Sequence, residues 1–215
     1  MSTTTFVDNV TPVVAAWLND VDQHVYQEYA SVSTYGAIGD GTTDDTAAFT
    51  AAMAASKDVF VPVGTYLISS SVTVPSYTKL RFAGGHGNAS GAYPPARLIK
   101  KSTMTTTALI ISENAYVTGG GLYCQTGNTG DGVSLVGNTA KLENFLVHGA
   151  GGVGVRVGTT AGGNFNSFEL DHVTSQYNTS HGFYIHDGKV VKQYADCASI
   201  HNELVRFIKQ QQQKK

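Results

Sequence analysis

Two acidic residues, Glu169 and Asp171, stand two positions apart in a stretch of alternating apolar and polar residues. In a β-strand such residues lie on the same face, about 7 Å apart. Glu143 precedes Asp171 by 28 positions (171 − 143) in a similar stretch, so the two acids would stack if these stretches were neighbouring strands. Glycoside hydrolysis uses two carboxyl groups, roughly 5–5.5 Å apart in retaining enzymes and 6.5–9.5 Å apart in inverting enzymes. We therefore name Glu143, Glu169 and Asp171 as candidate catalytic residues, with His172 and Asp187 as their neighbours.

Two alternatives to hydrolysis stay open at these acids. Acidic side chains on the outside of a protein are usually only solvated. A polysaccharide lyase would instead need a base together with a positive charge or calcium near the sugar carboxylate, and Arg156 is a basic residue of the same region. The sequence has no metal-ligand spacing and no cofactor motif, so we expect neither a metal nor a cofactor.

Sugar binding without cleavage is a simpler task for the same region. Aromatic faces can stack on sugar rings, and amide or imidazole groups can hydrogen-bond to hydroxyl groups. Tyr184 alternates with apolar neighbours, which predicts that it points away from the core. The candidate glycan-binding residues are Tyr177, Asn178, Tyr184 and His186.

An internal repeat predicts the strands that would position these candidate residues. Residues 142–145 (LENF) match residues 170–173 (LDHV), and residues 154–157 (GVRV) match residues 182–185 (GFYI), both at an offset of 28 (170 − 142 and 182 − 154). Residues 132–135 (GVSL) match 154–157 at an offset of 22 (154 − 132). Short strands recurring every 20–30 residues are typical of a stacked solenoid, in which each coil buries its inner face only against its neighbours. Period-2 alternation predicts an inward set of Leu142, Phe145, Val155, Val157, Leu170, Val173, Phe183 and Ile185.

A glycine-rich segment with two adjacent acids, YGAIGDGTTDDT, precedes an alanine-rich run at residues 35–56. We predict a helix from Asp45 to about Ser56, with Asp44 as its N-cap and Asp45 adding favourable charge to the first turn. A catalytic pair or a metal loop is the alternative, but the alternating ligand spacing of a calcium-binding hand is missing. We therefore interpret Asp44 and Asp45 as a structural cap.

Both ends of the chain show helical spacing of apolar residues. Near the N-terminus, Trp17, Leu18 and Val21 follow a Thr-Pro helix start and either pack on the chain's own core or dock a partner. Near the C-terminus, Ile200 and Ile208 belong to a similar stripe, which predicts a C-terminal helix within residues 189–215 and a frayed tail.

The composition limits the class of protein. The 215 residues have a formal net charge of −2, which gives no reason to expect a nucleic-acid partner. Only 14% of the residues are charged and 24 are glycine, which favours short strands and tight turns. The sequence shows neither an apolar run of about 20 residues nor a signal peptide, so we expect synthesis in the cytoplasm and no membrane insertion. Cys124 and Cys197 are expected to be free thiols.

Residues 35–85 carry a dense family resemblance. The segment YGAIGDGTTDDTAAFTAAMAA, followed by VFVPVGTYLISSSVTVPSYTKLRFAGG, resembles the opening of the pectate-lyase-like family of right-handed parallel β-helices. In that family the DDT segment begins a short helix that covers one end of the solenoid. The resemblance therefore implies a mainly β fold, a right-handed parallel β-helix over residues 31–188 with its capping segment at 31–57.

The first thirty residues, which include TTFVDNVTPVVAAWLNDVDQHVY, are similar to N-terminal segments of tailed-bacteriophage tail spikes and tail fibres. This resemblance implies a homotrimeric spike in the virion tail. Residues 1–30, through Trp17, Leu18 and Val21, would attach it to tail or portal-adaptor proteins. Such spikes bind, and often cleave, bacterial surface polysaccharide. A structural attachment protein is the first interpretation and a polysaccharide depolymerase is the alternative. A third possibility is a cellular β-helix enzyme of the pectate-lyase type, against which the N-terminal helix argues, because a secreted enzyme of that type would carry a signal peptide.

Overall fold

The computed structural model describes residues 29–85, 93–158 and 167–186, together with the backbone of three further strands at 194–195, 198–200 and 206–208. Within these residues the fold is mainly β, with a single α-helix, α1 (Thr46–Ala55), and a short 3-10 turn at Val32–Tyr35. No helix in this part of the chain is long and apolar enough to cross a membrane. The strands are β1 (Ala30–Ser31), β2 (Asp40–Asp44), β3 (Asp58–Val61), β4 (Gly64–Ile68), β5 (Val72–Val74), β6 (Lys79–Phe82), β7 (Ala96–Lys100), β8 (Leu109–Ile111), β9 (Tyr116–Thr118), β10 (Gly121–Cys124), β11 (Val133–Leu135), β12 (Lys141–His148), β13 (Val155–Val157), β14 (Glu169–Gln176), β15 (Phe183–His186), β16 (Tyr194–Ala195), β17 (Ala198–Ile200) and β18 (Arg206–Ile208).

The chain passes through three rows of parallel strands in turn, and we call one such passage a coil. The first row is β1, β3, β6, β9, the starts of β12 and β14, and β16. The second row is β2, β4, β7, β10, the ends of β12 and β14, and β17. The third row is β5, β8, β11, β13, β15 and β18. Most strand residues therefore have a register partner in the neighbouring coil.

The strand register confirms the repeat seen in the sequence. Leu142 pairs with Leu170 and Val155 with Phe183, both at the offset of 28. Val133 pairs with Val155 at the offset of 22. All eight residues of the expected inward set are buried, so the alternation correctly identified the core face.

The bend between the first and second rows depends on residues with positive φ. Asn144 (φ 51°) and His172 (φ 49°) hold this position within β12 and β14, and Gly120 (φ 75°) holds it between β9 and β10. At Gly120 a Cβ atom would lie 2.6 Å from the Cβ of Phe82. The chain therefore needs a glycine at this position for space as well as for backbone conformation.

The two capping acids divide their roles differently from the expectation. Asp45, rather than Asp44, is the N-cap residue of α1, and its side chain makes no cap hydrogen bond. The Asp45 carboxylate is buried and accepts bonds from the backbone amides of Ile38 (2.7 Å) and Gly39 (3.1 Å). Asp44 accepts a bond from the first-turn amide of Thr46 at 3.1 Å. Asp45 thus fixes the glycine-rich loop, because its buried carboxylate holds two backbone amides of the loop against the start of α1.

We expect Asp45→Ala to lower the free energy of unfolding by about 2–4 kcal/mol, because it leaves two partly buried amides without an acceptor. Chemical denaturation followed by circular dichroism measures this change. Glu113→Ala, which removes an exposed acid, is the matched control and should stay close to the unmodified chain. Equal stability of the two variants would contradict the role given to Asp45.

The predicted C-terminal helix does not form at the positions that the structure describes. Ala198–Ile200 and Arg206–Ile208 are strands that pair in parallel with β14 and β15. The edges of β14 and β15 offer backbone hydrogen bonds to the segment that follows them. Such pairing outweighs the helical spacing of a few apolar residues. Apart from these strands and β16, residues 189–215 lie outside the described residues, as do residues 1–28 with Trp17, Leu18 and Val21, and the second cysteine, Cys197.

Two polar residues of the second row face the core. Lys100 is fully buried, and its ammonium group donates to the carbonyl oxygens of Thr129 (2.6 Å), Gly130 (3.2 Å) and Asp131 (3.1 Å). Its register partner Cys124 is a buried free thiol. Burial lowers the pKa of Lys100 and raises the pKa of Cys124 to about 12. The ammonium group thus ties the second row to the turn that leads into β11.

The raised pKa of the Cys124 thiol predicts that stability falls at alkaline pH. Its ordinary pKa is 9.0, so between about pH 9 and 12 the unfolded thiol is ionised while the folded thiol keeps its proton. The folded state then binds more protons, and the free energy of unfolding drops by up to about 1.4 kcal/mol per pH unit. Urea unfolding at about pH 8 and about pH 10 should show this slope in the unmodified chain and a shallower one in Cys124→Ala. Equal slopes would contradict the assignment.

Candidate functional site

Glu143, Glu169 and Asp171 form an acid cluster on the outer face of the first row. Glu143 and Asp171 are register partners on β12 and β14, as the 28-residue offset requires. Glu169 lies on the same face of β14, two positions before Asp171. The three candidate catalytic acids are therefore brought onto neighbouring positions of one surface.

Basic and aromatic neighbours pair with these acids. The Lys141 ammonium lies 2.9 Å from Glu169 Oε1 and 3.4 Å from Glu143 Oε2, and the Tyr116 hydroxyl donates to Glu143. His172 Nδ1 lies 2.7 Å from Asp171 Oδ1. Burial and the bond to Glu143 raise the pKa of Tyr116. Burial alone would lower the pKa of Lys141, but the bond to Glu169 and the carboxylate of Glu143 raise it. The cluster is thus an internally paired network.

Contacting aromatic rings line the outer face of the second row. Tyr123 and His148 are register partners whose rings stack at 4.2 Å between centroids and 13° between planes. Tyr93 packs edge-on against Tyr123 at 4.7 Å, and Tyr177 packs against His148 at 5.0 Å. We call Tyr93, Tyr123, His148 and Tyr177 the aromatic ladder. It crosses four successive coils.

Hydrogen bonds connect the ladder, and two buried atoms, one of them on His148 itself, have no protein partner. The Tyr123 hydroxyl lies 2.7 Å from the Tyr93 hydroxyl and 3.1 Å from His148 Nε2. Burial lowers the pKa of His148, and burial with the Tyr93 bond raises the pKa of Tyr123. Among the described residues, the only buried side-chain nitrogen and oxygen atoms without a hydrogen-bond partner are His148 Nδ1 and Gln176 Oε1, on register-paired residues.

Three of the four expected glycan-binding residues have described side chains, and these lie in different places. Tyr177 is 52% exposed at the end of the ladder. Asn178 is buried, and its side chain accepts from the Ala150 amide at 2.9 Å and donates to Ser175, so the structure assigns it to a turn rather than to a sugar-contacting surface. Tyr184 points outward from the third row, where Arg156 lies 4.8 Å from its ring. The side chain of His186 lies outside the described part of the chain.

Arg156 has a partner that the sequence pattern did not identify. Asp131, in the turn before β11, pairs with the guanidinium group and also accepts the Val153 amide at 2.9 Å. The guanidinium group also lies over the Tyr184 ring. Arg156 is thus engaged on the third row and does not approach the acid cluster through any described contact. No group of three or more His, Cys, Asp or Glu residues in the described ranges is placed to hold a metal ion.

A comparison with protein families identifies the class of fold. A family model described as rhamnogalacturonase A/epimerase, pectate lyase-like, matches residues 29–190, about three quarters of the chain. The chain therefore belongs to this pectate-lyase-like family. The resemblance found at residues 35–85 is confirmed.

The curated relatives and solved structures include phage proteins. The chain is 48% identical over 54 residues to the pre-neck appendage protein of Bacillus phage B103 and 50% identical over 54 residues to that of phage phi29. Each match covers 25% of this chain and only 6% of the relative's length. Geobacillus virus E2 ORF18 has a similar fold, with a TM-score of 0.57 and 17% identity over 87% of this chain and 46% of that chain. An N-terminal fragment of bacteriophage phi29 gene product 12 is also similar in fold. Its TM-score is 0.55, and the identity is 19% over 88% of this chain and 38% of that chain.

Proposed function

We propose that the chain is a structural component of a phage tail appendage, built on a right-handed parallel β-helix, that attaches the virion to bacterial surface polysaccharide. The 48–50% identity to pre-neck appendage proteins carries this proposal, because it is far higher than the identity expected from a shared fold alone. Three rows of parallel strands around one apolar core support the β-helix. Residues 31–188 form its main domain, and residues 1–30 form the arm that attaches to tail or portal-adaptor proteins.

Virion incorporation tests the attachment arm. We expect deletion of residues 1–28 to abolish incorporation into phage particles while the purified chain keeps its β-rich circular dichroism spectrum. Trp17→Ala should weaken incorporation, whereas Tyr35→Ala, at an exposed tyrosine of the described part, should not. Normal incorporation of the deletion variant would overturn the proposed anchoring.

The proposed assembly is a homotrimer in the virion tail. The chain mass is 22.7 kDa, so light scattering should give a mass three times that value for the assembled protein. A monomeric mass at all concentrations would overturn the trimer.

A polysaccharide depolymerase is the second candidate. It is favoured by one observation, the register pairing of Glu143 with Asp171 beside Glu169 on an outer face. If the cluster is catalytic, Glu169→Gln and Asp171→Asn should each reduce the release of reducing ends from bacterial capsule or O-antigen by at least about a hundredfold. Asp58→Asn, in the first-row salt bridge with Arg81, is the matched control. Unchanged cleavage in the first two variants would exclude this site.

A further inference from the structure

Exposed apolar side chains form a ridge at the bend between the first and second rows. Ile38 is 64% exposed and Val63 is 69% exposed, and Pro95 is exposed in the next coil. We call these three residues the apolar ridge. Single exposed apolar residues are common on protein surfaces, so the feature that distinguishes the ridge is its continuity from coil to coil.

Backbone hydrogen bonds place the ridge residues side by side. The Thr65 amide donates to the Gly39 carbonyl oxygen at 2.8 Å, which joins the residue after the first ridge member to the second coil. The Gly64 amide, directly after the second ridge member, donates to the Pro95 carbonyl oxygen at 3.0 Å. The ridge therefore follows the strand register, and its members are separated by about one strand spacing, roughly 4.7–4.9 Å.

Further hydrogen bonds hold the ridge in place. The Ile38 amide donates to Asp45 Oδ1 at 2.7 Å. The Tyr66 hydroxyl donates to the Pro62 carbonyl oxygen at 3.0 Å, immediately before Val63. Side chains on a preformed backbone lose less entropy when a partner binds. The ridge is therefore preorganised for contact with another surface.

The described surfaces around the ridge are polar or charged. On the outer face of the first row the charged residues pair with one another, as Lys141 does with Glu169. In the later described coils the same bend holds Gly120, Asn144 or His172 rather than an aliphatic residue. Within the described part of the chain, the aliphatic part of this bend is thus confined to the first three coils.

Threefold symmetry favours an uncharged contact of this kind. About an axis that runs along the stack of coils, each coil of one copy lies level with the same coil of the other two copies, and a residue near the axis meets its own copies. A charged residue there would face like charges, which weakens association. The ridge residues are apolar and exposed at a bend, so three copies can bring their ridges together.

We propose that the apolar ridge is the contact through which three copies of the chain meet at the axis of the homotrimer. This inference rests on the proposed homotrimer and specifies its contact surface, with two further copies of this chain as the partners. Val63 lies at the centre of the ridge and is its central contact residue.

Light scattering over a dilution series of the full chain and of Val63→Glu tests this contact. We expect the unmodified chain to have three times the chain mass of 22.7 kDa. Val63→Glu should need at least about a hundredfold higher concentration to form trimers, because three carboxylates would meet at the axis. Tyr77→Glu is the matched control and should stay trimeric, since Tyr77 is equally exposed (70%) but lies at the bend between the third and first rows. Circular dichroism should show the same β-rich spectrum for all three proteins.

Mixing two variants of opposite charge tests whether position 63 lies at the axis. Val63→Lys alone should also form trimers less readily, for the same reason as Val63→Glu. An equimolar mixture of the two variants should regain the trimeric mass, because opposite charges then face each other. A mixture that stays monomeric like its components would overturn the placement of Val63 at the axis.

The outcomes separate this inference from the proposed function. A trimeric unmodified chain, with Val63→Glu trimeric over the same concentrations, would overturn the ridge as the contact and leave the homotrimer standing. A monomeric unmodified chain at all concentrations would overturn both the ridge and the homotrimer. Neither result bears on whether the chain is part of the virion, which incorporation into particles measures separately.

Discussion

Replacing Lys100 with methionine is expected to lower the free energy of unfolding by about 3 kcal/mol. The ammonium group donates to three carbonyl oxygens of the turn before β11, and methionine cannot replace any of these bonds. Removing the buried charge recovers some desolvation energy, but carbonyl groups left without a donor cost about 1–3 kcal/mol each. For a chain of this length the expected fall in melting temperature is about 6–12 °C.

Lys101→Met is the control for Lys100→Met, because Lys101 is the adjacent residue and is exposed. Differential scanning calorimetry of the three proteins separates the buried contribution from the general effect of losing a positive charge. If Lys100→Met had the same melting temperature as the control, the ammonium group would contribute nothing to joining the two coils.

Gly154→Ala is expected to destabilise the chain by about 3 kcal/mol. An added Cβ atom would lie 2.0 Å from Ser175 Oγ, 2.5 Å from Asn178 Nδ2 and 2.8 Å from the carbonyl oxygen of Gly182. These groups are themselves hydrogen-bonded, since Ser175 donates to Gly182 and Asn178 donates to Ser175. The coils would have to separate at this turn, because backbone and buried polar atoms cannot move aside cheaply.

Gly85→Ala provides the matched control for Gly154→Ala, since a Cβ atom there meets nothing within 4 Å. The same calorimetric measurement should leave this control unchanged within about 0.5 kcal/mol. A Gly154→Ala protein as stable as the control would mean that the spacing between these coils is looser than described.

The core of the fold was predictable because its signal is periodic. The 28- and 22-residue offsets predicted the register of β12 with β14 and of β11 with β13, and alternation predicted which side chains are buried. Earlier coils were harder to align by sequence. Leu80 pairs with Val117 at an offset of 37 (117 − 80), because loops of different length are inserted between coils without changing the strand pairing.

The errors fell where a local pattern competes with a tertiary contact. The apolar spacing of Ile200 and Ile208 predicted a helix, but strand edges of β14 and β15 pair with this region instead. Asp45 looked like a helix-terminal charge, whereas its carboxylate binds two loop amides. Propensity describes what a segment does alone, and a neighbouring unpaired edge or amide changes that preference.

The candidate site was predicted only in part for the same reason. The stacking of Glu143 with Asp171 followed from the repeat, but their pairing with Lys141 and Tyr116 depends on side-chain positions across three coils. Of the aromatic ladder, the sequence analysis identified only Tyr177. Tyr123 precedes His148 by 25 positions (148 − 123), and this offset differs from the repeat, so only the strand register brings the two rings together.

Immunogold electron microscopy of purified virions, with antibody raised against the full chain, tests the central claim most directly. The proposed function predicts label on the tail appendages of intact particles, together with peptides of this chain in mass spectra of the same preparation. Presence of the chain in infected cells with neither label nor peptides in purified virions would contradict its assignment as an appendage component.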